Sequence, residues 1–241
     1  MHLRVISIAM AVASVLAGRA LADNLDAFNA AIEETAAHNR AAIGYLRTEN
    51  VDLAAVALQD MQKSWAAFAE RFGGNRPDKL RDNELYVTML VDVPTRIVGA
   101  LIMINFGRPD IASNSLQAIR REFSAVRRAS GIEVLADCVL DANDAMEALL
   151  VYRDEPPDWD KPAAAEGLSA KSAAFGAAVA RCDALAPDTI RARPEFRRLV
   201  DGVAASLVFV PQAIATRDSD LLQRVINELR AFDHLLAFRY G

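Results

Sequence analysis

Three stretches of this chain repeat one rhythm of apolar positions. Counting from Asp52, apolar residues fall at Ala54, Leu58, Met61, Trp65 and Phe68; counting from Asp110, they fall at Ala112, Leu116, Ile119, Phe123 and Val126. From Asp220 the same steps reach Leu222, Ile226, Leu229, Asp233 and Leu236. Alternating steps of four and three mark a helix that buries one stripe in a bundle. The aspartate opening each copy belongs to a first turn, where a carboxylate suits the helix macrodipole. The third copy departs once: Asp233 stands where Trp65 and Phe123 stand, with His234 beside it.

Extended along the chain, the pattern predicts about eight helices. The first four run over 24–47, 52–72, 82–106 and 110–128, with Gly73-Gly74 and Gly107-Arg108-Pro109 as stops. Pro94, inside the third, predicts a kink or a break just before it. The nearly unbroken apolar run from Ile97 to Ile104 predicts a helix enclosed on most sides. The second four run over 133–153, 163–185, 194–216 and 220–240, with Pro211 kinking or shortening the third of them. Ser130-Gly131 separates two sets of close to 108 residues each, the size of one four-helix bundle. The expected fold is all-α: tandem antiparallel four-helix bundles over 23–130 and 131–241, arising by duplication. A single elongated bundle or an irregular α-fold is the alternative.

The first 22 residues stand apart. Arg4, the apolar run Val5–Leu16 and Ala20-Leu21-Ala22 follow the order of a cleaved signal peptide, which places the protein in the periplasm or outside the cell. An uncleaved amphipathic anchor is the alternative. No later segment holds the ~18 uninterrupted apolar residues that a membrane helix needs. Without the leader the formal charge moves from -5 to -7, which argues against nucleic acid as a partner. In an exported chain the two cysteines, Cys138 and Cys182, are expected to pair across the open end of the fifth and sixth helices.

From Glu195-Phe196-Arg197 to Phe238-Arg239-Tyr240 the chain resembles the periplasmic b-type four-helix cytochromes and cytochrome c prime. The resemblance implies haem held between helices, with electron transfer or gas binding as the role. The attachment residues depart from the family pattern. With Phe238-Arg239 as the aromatic-basic pair, the Cys-x-x-Cys-His positions are Ala231, His234 and Leu235; in the b-type frame the histidine ligand position is Ala237.

The candidate chemistry is sparse. Asp233, His234 and Phe196 are the ligand-pocket candidates, because a carboxylate at a core position needs a partner or a polar pocket. Arg197, Arg198 or Arg230 could supply the partner. His234 is the candidate haem or metal ligand, and His38, four residues after Glu34, is a second. Pairing with Glu34 in an exposed ion pair is the plainer reading of His38. Asp137, Asp141 and Asp144 read as the wet face of the fifth helix. No nucleophile motif, phosphate loop or metalloprotease signature is present, so the expectation is a non-enzyme. The residues themselves prefer no cofactor. The function expected is binding of a small ligand or a periplasmic protein partner through an interhelical pocket. The alternatives are a haem electron carrier with unconventional ligands, and a structural or stress-response helper. The helper would expose an apolar helix face instead of an internal pocket.

Overall fold

The computed structural model describes the backbone from residue 3 and the side chains from residue 24 onward; the expected leader, 1–22, lies outside the described side chains. The fold is all-α, and no strand occurs among the described residues. Unit 1, Met1–Ile132, contains α1 (Leu3–Arg47), α2 (Val51–Phe72), α3 (Glu84–Asn105) and α4 (Pro109–Ala129). Unit 2, Glu133–Gly241, contains α5 (Leu135–Asp154), α6 (Pro162–Leu185), the short α7 (Asp188–Arg191), α8 (Pro194–Leu207), α9 (Phe209–Thr216) and α10 (Ser219–Tyr240). In unit 1, α1 packs on α2 and α3 on α4, and the square closes through α2 with α3 and α1 with α4. Unit 2 repeats the arrangement: α5 lies against α6 and α10, and the α8–α9 pair lies between α6 and α10. Each unit is an antiparallel four-helix bundle.

The repeated rhythm is the buried stripe. All five positions in each copy are buried, Asp233 included. The copies share a turn as well as a stripe. Glu49, Gly107 and Arg217 have φ of 60°, 68° and 53°, and each stands three residues before a repeated aspartate. The next residue in each case donates its N–H five residues back, Asn50 to Tyr45 (2.9 Å), Arg108 to Met103 (2.8 Å) and Asp218 to Ala213 (2.9 Å). This is the left-handed turn that satisfies the last carbonyls of a helix. Glycine adopts it freely only at position 107; elsewhere a Cβ raises its cost by about 1 kcal/mol. The three hairpin turns are one local structure used three times.

Proline acts differently in the two third helices. α3 continues through Pro94 without a break. The other third helix divides at Val208, three residues before Pro211. A proline ring crowds the carbonyl four residues back, here that of Leu207, where α8 ends.

The cores of the two units diverge. In unit 1, Phe123 stacks on Trp65 at 6.0 Å and Trp65 on Phe68 at 4.8 Å. Phe28 adds contacts to Phe68, Phe72 and Tyr86. Tyr86 is fully buried and its hydroxyl donates to the Phe72 carbonyl at 2.8 Å; burial pushes its pKa up to about 12, against a smaller lowering effect of Arg76. Asn83 caps α3, accepting from the Leu85 N–H at 3.0 Å, while its amide donates to the Val126 carbonyl at 2.7 Å. One side chain thus sets a helix start and fixes α3 against α4.

Unit 2 relies on close approach. A Cβ on Gly202 would lie 2.5 Å from the Phe232 ring, so the ring from α10 packs directly on the α8 backbone at this glycine. Cys138 on α5 and Cys182 on α6 form the expected disulfide, with Cα atoms 5.3 Å apart. Both are buried, at the end of the hairpin opposite its loop. In that loop Trp159 donates its indole N–H to Ser219 at 2.9 Å, tying the connection to the start of α10.

Candidate functional site

Asp233 lies inside unit 2 at 1% exposure, where unit 1 has Phe123. Its carboxylate is met from two helices. The Asn143 amide on α5 donates to Oδ1 at 2.5 Å, and the Arg230 guanidinium, one turn back on α10, reaches Oδ2 at 3.1 Å. Arg230 also reaches Glu147 of α5 at 2.6 Å. The result is a chain of polar contacts linking α5 to α10. A buried carboxylate needs such partners, because an unpaired one costs several kcal/mol. Of the three arginines considered from the sequence, Arg230 is the one on Asp233. Arg197 instead pairs with Asp183 of α6 at 2.8 Å.

The sequence candidates do not converge on one point. Phe196, fully buried on α8, packs edge-on against Tyr240 with ring centroids 5.1 Å apart. Tyr240 lies seven residues beyond Asp233, which sets Phe196 roughly 10 Å along the helix axis from the carboxylate. His234 is half-buried at the margin of the α10 stripe. His38 is half-buried on α1, while Glu34 is exposed. The charge of His38 acts weakly on Asp60 of α2, whose carboxyl is held low chiefly by the Lys63 hydrogen bond. Among the described residues, no three His, Cys, Asp or Glu side chains are grouped to hold a metal ion. Both cysteines are joined to each other, so neither thiol is free for a thioether to haem.

The acidic line on α5 is corrected. Asp137 is buried, and its carboxylate accepts from the Val134 N–H at 3.3 Å, closing the start of the helix. Asp141 pairs with Arg181 of α6, while Asp144 is exposed. Periodicity placed all three on one side but could not register that a first-turn carboxylate folds back onto its own backbone.

Two surface features were not anticipated. A shallow open cleft of about 360 Å³ lies between α3 and α4, lined by Arg96, Asn114, Ala118, Arg121, Glu122 and Ala125. Arg96 and Glu122 are hydrogen-bonded there; burial raises the Glu122 pKa, and Arg96 opposes that rise. The second feature is the outward face of α3. Sequence predicted enclosure of Ile97–Ile104, yet only Ile97, Ala100 and Ile104 of that run are buried. Val98 and Ile102 are exposed, as are Val87 and Val91, the last at 61%, with Phe106 at the C-cap 76% exposed. A helix in a four-helix square has two neighbours, which cover about half of its circumference. Composition reported the apolar residues on both halves, and only one half finds cover.

The other third helix behaves alike. From Gly202 to Thr216 it carries no charge, and Val208 is 70% exposed beside exposed Phe209. By length and composition α3 and the α8–α9 stretch are each apolar enough to cross a membrane, although each also buries a face in its own bundle. Windowed hydropathy sees this, whereas a search for uninterrupted apolar runs does not. Comparison with known proteins finds no matching family model, no matching curated protein and no matching solved structure.

Proposed function

We propose that this chain is an exported, non-enzymatic helical-bundle protein that holds a polypeptide partner against the outward face of α3. The observation that carries the reading is the row of exposed Val87, Val91, Val98 and Ile102 along that helix. Contiguous apolar surface of this kind on a folded protein marks an interaction site. The same position in unit 2 bears an uncharged outward stretch too, so the feature belongs to the repeated design. An interhelical ligand pocket at Asp233 draws less support, because Asn143 and Arg230 already meet its carboxylate. A haem carrier with covalent attachment draws less support too, because both cysteines are joined to each other.

The test is site-specific photocrosslinking in the exporting cell. A benzophenone side chain at Val98 is expected to form polypeptide adducts, and one at exposed Lys63 on α2 is expected to form few or none. Equal yields at the two positions would overturn the reading.

A further inference from the structure

We draw no further inference here: the strongest candidate, the exposed apolar patch of Leu85, Val87, Val91, Val98, Ile102 and Phe106 along the outward face of α3, belongs to the surface already described, and nothing in the structure shows what covers it.

Discussion

Chains carrying Cys138→Ala and Cys182→Ala are expected to lose about 4 kcal/mol of stability in unit 2, with unit 1 unchanged. The bond joins residues 44 apart in sequence, and closing a loop of that length removes about 4 kcal/mol of chain entropy from the unfolded state. Both sulfurs lie in the core between α5 and α6, so alanine also leaves a small void. For a unit of this size the midpoint of thermal unfolding falls by on the order of 15 °C. Calorimetry reads this directly, because two compact units should give two transitions and only one should move. A shift of both transitions together would mean that the units unfold as one. Reducing agent applied to the folded protein is expected to act slowly, since neither cysteine is exposed.

Arg230→Met is the second large effect, expected to cost about 3 kcal/mol. The substitution leaves the Asp233 carboxylate buried without its cationic partner, and breaking such a pair costs more than making it gains. Asp233→Leu restores an apolar residue to the stripe, as Phe123 provides in unit 1, and releases Arg230 to Glu147 near the surface. The double variant is therefore expected to be more stable than Arg230→Met alone by at least ~1 kcal/mol, a coupling typical of residues in one network. Denaturant unfolding of the four chains in the cycle measures it. Additive effects would mean that Asp233 is held by other contacts.

The fold was readable from the sequence because burial there is periodic. Three copies of a four-three rhythm, each led by an aspartate, predict three buried stripes, and all fifteen positions are buried. The disulfide was readable because two cysteines near opposite ends of one hairpin fall at the same height. The partners of Asp233 were partly readable. Arg230 is one turn away on the same helix, whereas Asn143 arrives from α5, ninety residues distant, and no local rule points to it. Asp137 was misplaced because a helix-wheel view ignores backbone groups at the helix start. The outward face of α3 was hidden for another reason. An apolar run records which residues avoid water, and only packing decides which of them find cover.

The claim that the outward face of α3 is an available apolar surface on the folded protein is tested most directly by binding of the dye ANS to the native full chain. Saturable fluorescence enhancement is expected, reduced several-fold by Val91→Glu with Ile102→Glu while the thermal transitions stay in place. Wild-type and variant chains that bind the dye equally would contradict the account.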